Sequence, residues 1–252
     1  MNLCNFQRMK NESEVRMFHI MQDVGLGNDT EICQYMALDY LKAILKTDKY
    51  FVKRKKLFID KREKTIPLRL QFELTPYDRR LSPEQIKRMD ERNKAIQHFE
   101  TKSSSLLTSC WTERITENAL LWDRDGERHK ACIKTNVGDF VAAFGNTKFE
   151  IWCGKMIYEP IHPILISEDI IWYKEPYFSD EREIRFYFST DFSKIVSDEE
   201  NNDGVFLEVK KELLIHEIIL SPYINKNAAE ELKQSITEKY GIKTSISKIE
   251  IR

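Results

Sequence analysis

The chain reads as one mixed α+β domain, and three observations lead there. Segments alternating apolar and polar residues with a period of two recur along most of its length, which is the signature of half-buried strands. Between them lie stretches with apolar residues at helical spacing. Just 8 glycines and 7 prolines are spread over 252 residues, too few for long linkers, and no internal repeat or low-complexity run divides the chain.

In order, residues 12–24 (ESEVRMFHIMQDV) place Val15, Phe18 and Met21 at helical spacing before Gly25 and Gly27. They predict a helical N-terminal extension over 1–27, preceding a core over 31–252. Glu31–Ala37 reads as a short strand, followed by a helix with Leu38, Leu41, Ile44 and Leu45 on one face. Tyr50–Val52 is strand-like. Residues 66–74 (IPLRLQFEL) alternate and predict another strand. Ser82-Pro83-Glu84-Gln85 combines a capping Ser, Pro in the first turn and Gln at the capping-box position, so a helix starts there and runs to about Thr101. Leu106–Thr112 reads as a buried strand and Glu117–Asp123 as a short helix. Strands follow at 130–135, 149–158 and 182–188, then in VFLEV and IHEIILSPY. A helix from Asn227 to Tyr240, closed by Gly241, has Ala228, Leu232 and Ile236 as its inner stripe, and residues 242–251 form a last strand. Residues 197–204 (SDEENNDG) read as an acidic solvated loop.

A net charge of −1 gives the whole molecule no bias toward nucleic acid or membrane, so any attraction comes from local patches. The run Lys53–Lys64 is one: Lys53, Arg54, Lys55 and Lys56, with Phe58 interleaved, suit phosphates and a stacked base, and equally suit a solvated loop. The five cysteines (4, 33, 110, 132, 153) include no CxxC pair and lack histidines at zinc spacing, so no metal is expected and buried thiols in a reducing compartment fit best. The first residues carry no apolar core of a signal peptide, and no stretch approaches the roughly 20 apolar residues of a membrane helix. The expected setting is the cytoplasm, without a membrane partner. Rossmann, P-loop and nucleophile-elbow motifs are absent. Glu208-Val209-Lys210, with Asp191 or Asp203 upstream, has the outline of a metal-dependent nuclease triplet, but short E-x-K strings are common.

The densest chemistry lies in Glu181-Arg182-Glu183-Ile184-Arg185-Phe186-Tyr187-Phe188. On a strand, Ile184, Phe186 and Phe188 face a core while Glu181, Glu183, Arg185 and Tyr187 share the other face. Two carboxylates one repeat apart are separated by about 7 Å, which suits two jobs on one substrate. Arg185 would hold one of them ionised. The same alternation also fits a solvent-facing strand.

Three separated blocks resemble a bacterial domain-of-unknown-function family found in phage-defence and prophage loci. They are Cys33-Gln34-Tyr35-Met36-Ala37-Leu38 with Leu41 and Ile44-Leu45, then Ser109-Cys110-Trp111-Thr112-Glu113 with Glu117, Ala119, Leu121-Trp122 and Ala131–Thr135, and then Phe178-x-x-Glu181-Arg182-Glu183-Ile184-Arg185, close to the signature F-x-x-E-x-E-x-R. Ser221-Pro222-Tyr223 adds a match toward the C-terminal part. The arrangement is similar to the ADP-ribosyltransferase fold: a split, mostly antiparallel β-sheet core with flanking helices.

That resemblance implies an NAD-dependent ADP-ribosyltransferase, of the kind that serves as the RNA-modifying toxin of toxin–antitoxin–chaperone defence systems. NAD would be the substrate, RNA or another macromolecule the acceptor, and an antitoxin protein and a chaperone the partners. Glu183 would stabilise the positive charge that develops on the ribose, and Glu181 would orient or deprotonate the acceptor. Tyr35, Gln34, Trp111, Thr112, Trp122 and Arg185 would line the NAD site. Gln34 departs from the family, which favours His or Arg there; it can hydrogen-bond but supplies no charge. Trp111 and Trp122 also fit as core residues. The competing reading is a non-catalytic binding or sensor module on the same fold.

Overall fold

The computed structural model describes residues 6–11, 14–21, 25–57, 82–91, 94, 106–113, 116–123, 130–145, 147–159, 171–189 and 203–250. The strand expected at 66–74, the remainder of the helix expected to reach Thr101, Phe58 and most of the acidic loop lie outside these residues. The described strands are β1 (Phe6–Asn11), β2 (Glu14–Met21), β3 (Glu31–Met36), β4 (Lys49–Arg54), β5 (Leu107–Glu113), β6 (Ala131–Asn136), β7 (Glu150–Lys155), β8 (Glu183–Ser189), β9 (Gly204–Glu208), β10 (Glu217–Leu220) and β11 (Lys243–Ile246). The helices are α1 (Leu38–Thr47), α2 (83–91), α3 (Ala119–Trp122), α4 (Val137–Ala143), α5 (Lys211–Leu214) and α6 (Lys226–Tyr240).

All eleven strands join one sheet, in the order β1-β2-β7-β8-β5-β3-β6-β10-β11, with β4 bridging β5 and β9. The pairings are antiparallel except β2 with β7 and β10 with β11. The fold is therefore mixed α+β with a mostly antiparallel sheet, as expected.

The helical extension expected over 12–24 is not found. Residues 6–11 and 14–21 form an antiparallel hairpin instead, with Phe6 opposite Met21 and Met9 opposite Phe18. Three apolar residues at helical spacing gave way to tertiary pairing: β2 adds in parallel to β7 at Phe18–Ile20, and its Val, Phe and Ile content suits a strand.

One face of the sheet carries the main core. Ile32, Met36, Leu107, Trp111, Ile184, Phe186 and Phe188 supply the sheet side; Leu41, Ile44 and Leu45 of α1, Val137, Phe140 and Ala143 of α4, Leu214 of α5, and Ala229 and Ile236 of α6 supply the helical side. Phe140 is its hub, with ring centroids of Trp111, Phe144, Phe186, Tyr50 and Phe188 between 4.0 and 6.4 Å away. Of the inner stripe expected for α6, Ile236 is buried and Leu232 packs against the core, while Ala229 is buried in place of the exposed Ala228. That helix is capped by Asn225, whose side chain accepts the Asn227 N–H at 3.0 Å, and it ends at Gly241 in the left-handed region that favours glycine. The capping box of α2 is formed as its sequence requires: Gln85 N–H donates to Ser82 Oγ at 3.3 Å, and Ser82 N–H to Gln85 Oε1 at 2.8 Å.

The edge of β5 toward β3 decides the shape of the centre. Leu107 and Thr108 pair with β4 at one end, and Thr112 and Glu113 pair with β3 at the other. Between them the ladder opens. A backbone carbonyl exposed by such an opening needs a partner, and Gln34 provides it: its Nε2 donates to Cys110 O at 3.0 Å. Tyr50 reaches from β4 into the same wedge, donating to Gln34 Oε1 at 2.8 Å and lying 2.6 Å from Ser109 Oγ.

Candidate functional site

The opposite face of the sheet holds the polar cluster. β5 pairs Thr112 with Glu183, and β3 pairs Cys33 with Thr112. Alternation then puts Cys33, Tyr35, Cys110, Thr112, Glu183, Arg185 and Tyr187 on one side. Tyr35 meets Trp122 edge to face at 4.7 Å, and its hydroxyl accepts the Asn118 N–H at 2.9 Å. Cys33, Trp122, Cys132 and Ile219, with Tyr35, Tyr223 and Ile249 against them, form a second small apolar cluster there.

Glu181 is not on the strand. It ends a 3-10 turn over Pro176–Glu181, and Arg182 follows in the left-handed region at φ 44° before β8 begins at Glu183. A non-glycine residue there is strained unless the surroundings fix it. Two bonds from β5 do so: Thr112 Oγ1 donates to Glu181 O, and Glu113 N–H donates to Arg182 O at 2.9 Å. The expected spacing of two carboxylates along one strand is thus replaced by a turn that folds one back toward the other.

Their meeting point is Lys174. Its ammonium lies 2.7 Å from Glu181 Oε2 and 2.8 Å from Glu183 Oε2, over the Phe178 ring at 4.6 Å. Arg185 holds Glu183 from the other side, through Nε to Oε1 at 2.7 Å and Nη2 to Oε2 at 3.1 Å. The Cys110 thiol adds a further donor to Glu183, and Tyr158 Oη accepts the Glu183 N–H at 2.7 Å. Among the described residues two carboxylates face two cations here, and such pairing is the condition for burying charge.

Glu183 and Arg185 are 4% and 1% exposed, so this face is covered and is not the solvent-facing strand that alternation alone also allowed. The cover is the 171–181 segment: Trp172 stacks edge-on against Tyr187 at 4.8 Å, and Tyr187 donates to Ile171 O at 2.8 Å. Burial by itself would push the Glu183 carboxyl up. The Arg185 guanidinium and Lys174 ammonium overcome that and hold it well below its ordinary 4.5. Burial raises the Tyr158 hydroxyl to about 12, so it stays neutral beside the charges.

The structure thus brings together Glu181, Glu183, Arg185 and Thr112, with Tyr35 and Trp122 on the same face. It places two other expected NAD-site residues elsewhere. Trp111, 2% exposed, packs in the main core and donates to Ser109 Oγ at 2.8 Å; Gln34 points into the wedge on that core side. A ring buried against Phe140 is not a ligand wall. In the basic run, Arg54 and Lys55 are 8% and 6% exposed, which removes half of the expected phosphate-binding group from solvent. Lys53 is exposed, and the Lys56 side chain lies outside the described residues. Cys33, Cys132 and Cys153 are buried free thiols.

Sequence reading missed Lys174, Cys110 and Tyr158. Lys174 had a signal: a cation directly after the apolar Ile171-Trp172-Tyr173 has to find counter-charge when that stretch packs inward. Among the described residues no group of three or more His, Cys, Asp or Glu side chains is arranged to hold a metal ion, and no helix is long and apolar enough to cross a membrane.

No protein-family model matches the chain, and no curated protein matches it significantly.

Proposed function

We propose that this protein is an NAD-dependent ADP-ribosyltransferase, with nucleic acid, RNA in particular, as the favoured acceptor. The observation that carries the reading is the ionised Glu183 carboxylate, fixed at the start of a central strand with a second carboxylate, Glu181, on the same ammonium. The wedge where the β3–β5 ladder opens supports it, as a break in a mostly antiparallel sheet beside the polar face.

NAD would lie along the polar face. Tyr35 and Glu183 are separated by two strand spacings and one side-chain repeat, on the order of 12 Å, a span that suits the nicotinamide riboside half with part of the pyrophosphate. Tyr35, backed by Trp122, offers the aromatic contact. In the reaction the bond from ribose C1′ to the nicotinamide nitrogen breaks, and its electron pair leaves with neutral nicotinamide. The oxocarbenium character left on the ribose is stabilised by Glu183, as in glycoside hydrolysis. A lone pair of the acceptor attacks C1′ while its proton passes to Glu181. Water attacking instead gives free ADP-ribose. Because Glu183 is covered, substrate entry requires the 176–180 stretch of that segment to draw back while Lys174 keeps its anchor, a gating step common among enzymes.

The test is release of nicotinamide, with transfer of ³²P from labelled NAD to RNA, by wild type and Glu183→Gln. Loss of both in a folded variant supports the reading. A non-catalytic binding module is the second reading, favoured by the same burial of Glu183. It predicts no nicotinamide release and no transfer of label by either protein.

A further inference from the structure

Lys174 reaches the site from a rigid anchor. Lys174 N–H donates to Ile157 O at 3.0 Å and Ile157 N–H to Trp172 O at 2.7 Å; Ile157 and Tyr173 form a bridge, and Trp172 is 1% exposed. With the main chain held on both sides, the side chain starts from a fixed Cα, and ordering its own rotamers is the cost that remains. Its side chain is 2% exposed, against 14% for that of Glu181. The ammonium ties a carboxylate at the end of a turn to one at the start of a strand, across the strained Arg182. Removing it cuts that tie, while Glu183 keeps the two-bonded Arg185 guanidinium.

We propose that Lys174 is a positioning residue that sets the spacing and orientation of Glu181 relative to Glu183, and thereby the share of ADP-ribose that goes to an acceptor rather than to water. This rests on the transferase reading. In both outcomes nicotinamide leaves with the bonding pair and the attacking group loses one proton. What differs is the receiver of that proton: an oriented Glu181 takes it from a bound acceptor, whereas water entering an open site can lose it to bulk solvent. Glu183 serves both outcomes and Glu181 chiefly the first.

The experiment compares wild type with Lys174→Met, the milder Lys174→Gln and the charge-retaining Lys174→Arg, all checked for folding by circular dichroism. Carboxyl-¹³C NMR follows the titration of Glu181 and Glu183; a mixed-sequence RNA oligonucleotide with ³²P-labelled NAD reports transfer, and nicotinamide release reports total cleavage. In Lys174→Met, both carboxyls are expected to titrate at higher pH than in wild type, because each loses the same ammonium. Transfer falls about tenfold while nicotinamide release falls much less, and Lys174→Arg restores the ratio. If Lys174→Met does not fold, Lys174→Gln carries the same comparison. The proposal is overturned if the Glu181 carboxyl does not shift, or if transfer and release fall in equal proportion. Failure of wild type to release nicotinamide would overturn the transferase reading and the partition with it, and the NMR titration still decides whether Lys174 governs Glu181.

Discussion

Arg185 bonds Glu183 from two residues along the same strand, Nε to Oε1 at 2.7 Å and Nη2 to Oε2 at 3.1 Å. Adjacent same-face positions of a strand seldom exchange two such bonds in a covered site. Here the pair makes β8 a strand whose polar face is as buried as its apolar one.

That pair links stability to acid. Burial opposes charge on Glu183, but Arg185 and Lys174 keep its folded value well below 4.5. A depressed folded value means that the unfolded state takes up the proton first on acidification. The contribution is fully present above about pH 4.5 and is lost as pH falls from there through the folded value. Urea unfolding from pH 7 to pH 3 should show a steeper acid loss for wild type than for Glu183→Gln. Parallel curves would contradict the assignment.

Tyr50→Phe should cost about 1–3 kcal/mol. Its hydroxyl serves both Gln34 and Ser109 in the wedge, and Tyr50 is 1% exposed; deletion removes one bond from the half-buried Gln34 and one from the buried Ser109, which keeps Trp111. The shift in urea midpoint measures it.

Gly204→Ala should destabilise by about 1–3 kcal/mol. An added Cβ would fall 2.3 Å from Val52 O and 2.9 Å from Lys53 Cα, and a backbone obstruction on the paired strand cannot rotate away. Hydrogen exchange should show β4 and β9 losing protection together.

Phe140→Ala should cost about 3–5 kcal/mol. The ring contacts five others, from β4, β5, β8 and the residue after α4, so the cavity has rigid walls on every side. Thermal unfolding reports it.

Much of the sheet was legible because its strands carry their own period. Leu107–Glu113 and Glu183–Ser189 pair where their apolar alternation puts them, and α6 has its cap and closing glycine in the sequence. The failures have local causes. Val15, Phe18 and Met21 fit a helix by spacing, and pairing with a strand more than 130 residues away cannot be read from a window. Helix α4 was missed because it is short, contains Gly138 and starts from an Asn cap that also suits a turn. The site was legible as residues but not as geometry. Glu181 and Glu183 were recognised, whereas the left-handed Arg182 between them and the Lys174 ammonium joining them are products of tertiary packing.

Nicotinamide release from NAD by the purified full chain, beside Glu183→Gln, is the most direct measurement. Removing one partner of a buried ion pair costs about 3–5 kcal/mol, so both proteins are assayed at a temperature where circular dichroism shows each folded. The account predicts steady release by wild type and a loss of about a hundredfold or more in the variant. Equal rates from the two folded proteins, or none from wild type, would contradict it.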